Sequence, residues 1–196
     1  MIDIEIIEKI RNFAIRNSDD DDIHGFAHVQ RVYDLCDKIG IRMNADMLIL
    51  RISALLHDIG RKSEMINTTN KNHAILSAEI CKKYLMSQNF GLNEDHLNQI
   101  IHCICTHSFS NNNKPQTLEA KILSDVDKLD ALGAIGLYRT IGFTIKNRGA
   151  LPQLIEHLED KILKLKDRLY LDFTREIAEE RIQIIQDFYD KLKKEI

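Results

Sequence analysis

The stretch MLILRISALLHDIG, residues 47–60, decides the fold. Its apolar side chains lie on most sides of a helix rather than along one stripe, and such a helix belongs inside a helical bundle. The stretch ends with His57 and Asp58, two titratable groups at the edge of that interior. A buried charge costs several kcal/mol unless a partner or a bound ion compensates it. We therefore expect these two side chains to have a function.

Outward from this stretch, the apolar spacing is helical along the whole chain. A first helix is predicted around residues 6–14. Further predicted helices run over 24–39 with Gly40 as the stop, 45–59 with Asn44 as the cap, 72–88 from Asn72, 93–107 from Asn93 and 118–139 from Thr117. Two long amphipathic helices follow a turn at residues 147–149, the first through Leu165. No stretch is a convincing strand, so the sequence predicts an all-α fold of roughly eight or nine helices.

The length of 196 residues predicts a single domain over 1–196, with the helices of 151–196 packing on the core or extending it. The apolar faces of these last helices fit three roles: closing a cleft, completing the core, or pairing two subunits as a homodimer. The net charge of −3 and the lack of a basic, aromatic-studded stripe argue against a nucleic-acid-binding protein. No apolar run approaches the ~20 residues that span a bilayer, so no membrane partner is expected.

The compartment is predicted from the first residues and from the cysteines. The N-terminus alternates acidic and apolar residues and does not resemble a secretory signal. The four cysteines all lie in apolar helical patterns without a Cys-x-x-Cys pair. We interpret them as reduced core residues of a cytoplasmic protein.

Four titratable residues in apolar helical contexts suggest a metal site: His28, the adjacent pair His57-Asp58, and Asp127. Two imidazoles and two carboxylates form a mixed nitrogen and oxygen donor set that suits a divalent transition metal. Taken singly, His28 fits a core histidine, the pair fits a hydrogen-bonded helix end, and Asp127 fits a helix cap. Asp125, two residues before Asp127, is interpreted as support for a ligand or for a helix N-terminus.

These residues and their surroundings resemble the HD-domain metal-dependent phosphohydrolases. The resemblance lies in HGFAHVQRV (24–32), ALLHDIGRK (54–62), HAILSAEIC (73–81), ICTHSFS (104–110), SDVDKLDALGAIGLYR (124–139) and AEERIQIIQDFYDKLKKE (178–195). It therefore extends over nearly the whole chain, and small stand-alone bacterial members are the most similar. The resemblance implies an HD-domain helical bundle in which His28, His57, Asp58 and Asp127 are the metal ligands.

The resemblance also implies an enzyme that hydrolyses a phosphoester or phosphoanhydride with Mn²⁺, Fe²⁺, Co²⁺ or Ni²⁺, or alternatively Mg²⁺. The expected substrate is a small phosphorylated molecule, a nucleotide, with a (deoxy)nucleoside triphosphate losing pyrophosphate as one example. A cyclic-nucleotide phosphodiesterase and a nucleotide-sensing module without turnover are the alternatives.

The predicted catalytic residues are Asp58, which is also one of the four ligands, and Lys62, His73 and His107. His73 and His107 fit a second metal, phosphate contacts or a general acid, and phosphate or supporting contacts are favoured over a second metal. A phosphohydrolase also needs cations against the developing phosphoryl charge. Lys62 is the chosen cation, and Arg61, Lys128 and Arg139 are the others considered. Some nucleotide-cleaving relatives carry a base shortly after the His-Asp pair; here the first acid is Glu64, so the base stays open.

Overall fold

The computed structural model describes residues 4–66, 71–108 and 113–196. Within these residues the chain forms ten α-helices, two short 3₁₀ turns and no strand, which confirms the predicted all-α class. None of these helices is long and apolar enough to cross a membrane. The helices are α1 (Ile4–Asn17), α2 (Phe26–Met43), α3 (Met47–Leu56), α4 (Arg61–Ile66), α5 (His73–Ser87), α6 (Glu94–Thr106), α7 (Leu118–Asp130), α8 (Gly133–Lys146), α9 (Leu151–Asp160) and α10 (Asp172–Glu195).

The chain divides into two compact units, Met1–Ser124 and Asp125–Ile196. In the first unit, α3 packs against α1, α2, α5 and α6. Ile52, Leu55 and Leu56 of α3 are fully buried, as the all-round apolar pattern predicts. The His-Asp pair therefore lies where the central helix of this unit ends. The single-domain interpretation of residues 1–196 stays a prediction.

The predicted end of α2 at Gly40 is wrong, because the helix continues to Met43. Gly40 is buried, and a Cβ there would lie 2.4 Å from Leu50 Cδ2 of α3, so the glycine permits close helix packing. Asn44 ends the helix instead, with φ of 55° in the left-handed region. Asp46, not Asn44, caps α3 by accepting hydrogen bonds from the backbone N–H groups of Leu48 and Ile49.

The predicted starts of three helices are confirmed. The side chain of Asn72 caps α5 by accepting from the N–H of Ile75, and that of Asn93 caps α6 in the same way. The hydroxyl of Thr117 accepts from the N–H of Ala120 at the start of α7. Residues 109 and 110 of the ICTHSFS motif lie outside the described residues.

A short helix that the periodicity did not predict, α4, follows the His-Asp pair, and α5 approaches the turn between them closely. The N–H of Gly60 donates to Ser77 Oγ of α5 at 2.9 Å. A Cβ on Gly60 would lie 2.4 Å from the Ser77 backbone nitrogen and 2.7 Å from the His73 carbonyl oxygen. The absence of a side chain at Gly60 therefore sets the distance between the His-Asp turn and the start of α5.

In the second unit, α8 packs against α9 and α10. The predicted continuous helix over 118–139 is wrong: it breaks before Gly133, which has φ of +74°. The first of the two C-terminal helices is shorter than predicted, since α9 ends at Asp160. Ile162 lies in the first 3₁₀ turn and Leu165 between the two turns, and both are buried. The second, α10, is confirmed as a long amphipathic helix.

Asp125 anchors the beginning of α10, which confirms its interpretation as support for a helix N-terminus. Its carboxylate accepts from the backbone N–H groups of Tyr170 and Leu171 and from the hydroxyl of Thr174, at 2.7 to 3.0 Å. Asp125 is fully buried. These bonds satisfy donors that no intrahelical acceptor can reach.

Candidate metal centre

The His-Asp pair is buried at the C-terminal end of α3. His57 caps this helix, and both His57 and Asp58 are 3% exposed or less. His57 itself keeps helical backbone angles, with φ of −62° and ψ of −33°. An imidazole and a carboxylate are thereby held in an otherwise apolar interior, where an unpaired polar group is costly.

Four imidazoles surround the Asp58 carboxylate. On Oδ2, the Nε2 atoms of His28 and His57 lie at 3.5 and 3.7 Å. On Oδ1, the Nε2 atoms of His107 and His73 lie at 3.5 and 3.7 Å. All four rings are buried. We call these five residues, which come from α2, α5 and the ends of α3 and α6, the histidine cluster.

Backbone carbonyls fix the tautomer of two of these rings. The Nδ1 atom of His57 lies 2.8 Å from the Ala54 carbonyl oxygen, and that of His107 lies 2.7 Å from the Ile104 carbonyl oxygen. Because a carbonyl only accepts, Nδ1 carries the hydrogen and the Nε2 of the neutral ring presents a lone pair. Both lone pairs point toward the centre of the cluster. This is how metal-binding histidines are oriented in proteins.

Two buried atoms of the cluster make no hydrogen bond within the described part of the chain: Asp58 Oδ1 and His107 Nε2. Two groups of ligand atoms that lie within 4.8 Å of one another are present there, His28-His57-Asp58 and Asp58-His73-His107. The unsatisfied acceptors and the mixed nitrogen and oxygen donors both fit a divalent transition metal. The residues therefore fit the cofactor that the sequence predicts, without identifying the ion.

The charge of Asp58 is balanced by Arg61. The Arg61 Nε donates to Asp58 Oδ2 at 2.5 Å. Burial alone would raise the pKa of the carboxyl, but the neighbouring charge of Arg61 above all holds the pKa of Asp58 well below its usual range. Asp58 is therefore an anion at neutral pH, as a metal ligand must be.

The structure brings together His28, His57, Asp58, His73 and His107 of the predicted site residues. Asp127 lies on α7 in the second unit and is half-buried; its assignment as the fourth ligand stays a prediction. The metal-ligand and catalytic assignments of the other residues also stay predictions.

The predicted cations have different surroundings. Lys62 is exposed, with its Nζ 3.9 Å from a carboxylate oxygen of Asp19. Arg139 is buried in the second unit and donates to Asp130 at 2.7 Å. Lys128 is also buried, its Nζ is 5.5 Å from the centre of the Tyr170 ring, and burial lowers its pKa. None of these contacts tests the predicted catalytic role of Lys62.

Sequence reasoning missed two contacts of the cluster. One is the Arg61–Asp58 ion pair, for which the i,i+3 spacing across the turn was the available signal. The other is Glu64, which accepts from the backbone N–H of His73. Glu64 and His73 are nine positions apart and lie on different helices, so no local pattern could have found this contact.

An all-α protein with a buried cluster of histidines around an aspartate belongs to the class of candidate metallohydrolases. The HD domain family profile matches residues 25–132. The Bacillus subtilis protein YpgQ is 33% identical over 187 residues, which span 91% of this chain and 87% of YpgQ. The chain therefore belongs to the HD domain family, as the sequence resemblance predicts.

Solved structures support this assignment. The crystal structure of YpgQ matches 100% of this chain and 98% of its own with a TM-score of 0.79 and 30% identity. YpgQ in complex with ADP matches with a TM-score of 0.78, 30% identity and coverage of 100% and 97%. A predicted HD superfamily hydrolase from an uncultured Thermotogales bacterium matches with a TM-score of 0.68, 26% identity and coverage of 98% and 92%.

Proposed function

We propose that this protein is a metal-dependent phosphohydrolase that cleaves a phosphoester or phosphoanhydride bond of a nucleotide. The observation that carries the proposal is the histidine cluster, in which Asp58 Oδ1 and His107 Nε2 are buried without hydrogen-bond partners among the described residues. Leaving such atoms unsatisfied costs about 1–3 kcal/mol each. A bound cation would remove this cost and make the site reactive.

His28, His57 and Asp58 would hold the cation, and Asp127 is proposed as the fourth ligand. When bound, such a cation polarises the phosphoryl oxygen and lowers the pKa of a water nucleophile toward neutrality. The protein contributes the orientation of the donors: the Ala54 carbonyl holds the His57 ring, and Arg61 holds Asp58 Oδ2. Lys62 is proposed as the cation that neutralises the phosphate charge.

A nucleotide is the proposed substrate class because YpgQ, whose structure matches 100% of this chain and 97% of its own, forms a complex with ADP in a crystal. Cleavage of a (deoxy)nucleoside triphosphate to the monophosphate and pyrophosphate is one such reaction. The proposed compartment is the cytoplasm, which is supported by four cysteines that form no disulfide bond within the described residues, three of them buried.

A cyclic-nucleotide phosphodiesterase is the second candidate, and one observation favours it. Asp58 is shared by two groups of ligands, because Oδ2 faces His28 and His57 while Oδ1 faces His73 and His107. Each group would hold one cation, and paired cations are found in phosphatases and nucleases. Metal stoichiometry separates the candidates: two cations per chain favour the phosphodiesterase, whereas one leaves His73 and His107 for phosphate contacts or proton transfer.

Product analysis tests the proposed function. Metal-stripped protein is reloaded with Mn²⁺ and incubated with a panel of nucleoside mono-, di- and triphosphates and cyclic nucleotides, beside the Asp58→Ala variant. We expect the native protein to release phosphate or pyrophosphate and Asp58→Ala to lose this activity. A His107→Ala variant should also lose activity, and His102→Ala is its matched control, because His102 lies on α6, which His107 ends, and accepts from the N–H of Gln116.

Folded, metal-loaded protein that turns over none of these nucleotides would refute the enzyme assignment. Binding of ADP without turnover would then favour a nucleotide-sensing module. Equal losses in His102→Ala and His107→Ala would show that the loss is not specific to the cluster.

A further inference from the structure

Glu64 of α4 contacts His73 with both oxygens of its carboxylate. Glu64 Oε1 accepts from the backbone N–H of His73 at 2.8 Å, and Oε2 lies 3.4 Å from Nδ1 of the same residue. His73 is the first residue of α5, so its N–H has no acceptor within the helix. Asn72 accepts from Ile75 instead, which leaves the His73 N–H to Glu64.

The contact on Nδ1 determines what the other ring nitrogen presents. A carboxylate beside Nδ1 favours the tautomer with hydrogen on Nδ1, and Nε2 then carries the lone pair. His73 Nε2 lies 3.7 Å from Asp58 Oδ1, the buried oxygen that has no hydrogen-bond partner among the described residues. The lone pair on His73 Nε2 is thereby directed toward Asp58 Oδ1, the same oxygen that His107 Nε2 faces.

His73 differs from His57 and His107 in the group that holds its Nδ1 atom. The Nδ1 atoms of His57 and His107 contact carbonyls of the helices that these residues end, each three residues earlier. His73 is instead the first residue of its helix, and its Nδ1 faces a carboxylate from another helix. A charged acceptor gives a stronger bond than a carbonyl and makes the opposite nitrogen a better donor to a cation.

We propose that Glu64 is a positioning residue that fixes the orientation and tautomer of the His73 ring, so that His73 Nε2 completes the Oδ1 side of the cation site. The proposal rests on the proposed function insofar as a cation occupies the histidine cluster. It gives Glu64 a role different from a general base, since both of its oxygens face His73 rather than a reacting group. Glu64 is 39% exposed at its side chain, so its replacement does not open the core.

The test compares Glu64→Gln and Glu64→Ala with the native chain. The glutamine has one carbonyl oxygen, which can still accept from the His73 backbone N–H, but its NH₂ group then faces Nδ1. Long-range ¹H–¹⁵N spectra of metal-free protein at a pH where the rings are neutral report the tautomer of each histidine, with His73 assigned from a His73→Gln spectrum. Glu79→Gln is the matched control, because Glu79 is a partly exposed, ion-paired carboxylate on α5.

In the native chain we expect His73 to carry its hydrogen on Nδ1. In both Glu64 variants the ratio of the two tautomers should shift by about tenfold toward hydrogen on Nε2. Calorimetric titration with Mn²⁺ should show a loss of affinity of about 10- to 100-fold at the site that includes His73. Glu79→Gln should leave both readouts unchanged. A loss of thermal stability alone, with the tautomer as in the native chain, would mean that Glu64 only caps α5.

The outcomes separate this proposal from the proposed function. Nucleotide hydrolysis by the native chain with an unchanged His73 tautomer in both Glu64 variants overturns the role of Glu64 alone. A shifted tautomer and weakened Mn²⁺ binding in protein that hydrolyses no nucleotide overturn the enzyme assignment alone.

Discussion

Replacing Gly60 with alanine tests whether close packing of α5 against the His-Asp turn sets the geometry of the site. The added Cβ would lie 2.4 Å from the Ser77 nitrogen, whereas ordinary van der Waals contact begins at 3.4 Å. The two backbones must therefore separate by about 1 Å. His73 O and the Leu76 carbonyl carbon are the next nearest atoms, at 2.7 and 2.9 Å, so no side-chain rotation relieves the clash.

The size of the effect follows from this displacement. Overpacking of a well-packed interior costs about 1–3 kcal/mol, and for a chain of this length each kcal/mol lowers the melting temperature by about 2–4 °C. We therefore expect a decrease of about 2–12 °C. Because His73 begins the displaced helix, its Nε2 also moves relative to Asp58 Oδ1. A misplacement of 1 Å at a reacting centre can cost about 100-fold in rate.

Thermal unfolding followed by circular dichroism, together with kcat/KM for nucleotide hydrolysis, measures both consequences. Ser77→Ala is the control, since it removes the acceptor of the Gly60 N–H without adding an atom. A Gly60→Ala protein that melts and turns over like the native chain would refute the packing argument. If Ser77→Ala is as damaging as Gly60→Ala, the hydrogen bond rather than the close approach is the important contact.

Three further predictions concern charge and metal. Asp125→Ala should lower the free energy of unfolding by about 2–5 kcal/mol in urea titrations, because buried donors at the start of α10 lose their acceptor; a loss below 1 kcal/mol would contradict this. Mn²⁺ at 100 times its dissociation constant should stabilise the native chain by about 2.7 kcal/mol but not His57→Ala, as thermal melts would show. In metal-free protein, the low pKa of Asp58 means that its carboxylate stabilises the native state above its unfolded pKa of about 4 and loses this effect as the pH falls through the native pKa. The difference in unfolding free energy between native and Asp58→Asn chains should therefore shrink from pH 6 to pH 3. A difference that grows on acidification would contradict a lowered pKa of Asp58 in the native state.

The parts of the fold that were predicted from sequence depend on local chemistry. An all-round apolar pattern suits only an interior helix, and α3 is that helix. Asn72 and Asn93 have side chains that satisfy the first N–H groups of a helix, and both are caps. Each of these signals involves residues within one or two turns, so no knowledge of the tertiary packing was needed.

The errors arise where a residue's neighbour is far away in sequence. Glycine serves both as a helix stop and as a point of close helix contact, and Gly40 is the second because Leu50 and Met47 of α3 pack against it. The helix α4 has six residues, too few for an apolar period to appear. The break before Gly133 separates two helices that both have a helical apolar pattern, so the pattern predicted a single continuous helix.

The same distinction between local signals and contacts distant in sequence applies to the candidate site. The order of His28, His57 and Asp58 in helical contexts was enough to predict that they converge. The roles of His73 and His107 stayed open because they depend on the direction of each ring, and that direction is set by contacts with Ile104 and Glu64 at Nδ1. The sequence does not reveal which ring nitrogen faces inward.

The two oxygens of Asp58 explain why this cluster should couple metal binding to stability. Oδ2 is satisfied by Arg61, whereas Oδ1 and His107 Nε2 are buried without hydrogen bonds among the described residues. Two such atoms cost about 2–6 kcal/mol, which is a large part of a net stability of about 5–15 kcal/mol. The metal-free chain bears this cost in free energy, and binding of a cation would offset it. An ion that contacts both atoms removes the cost, so the same two atoms would determine both how tightly the cation binds and how much it stabilises the fold.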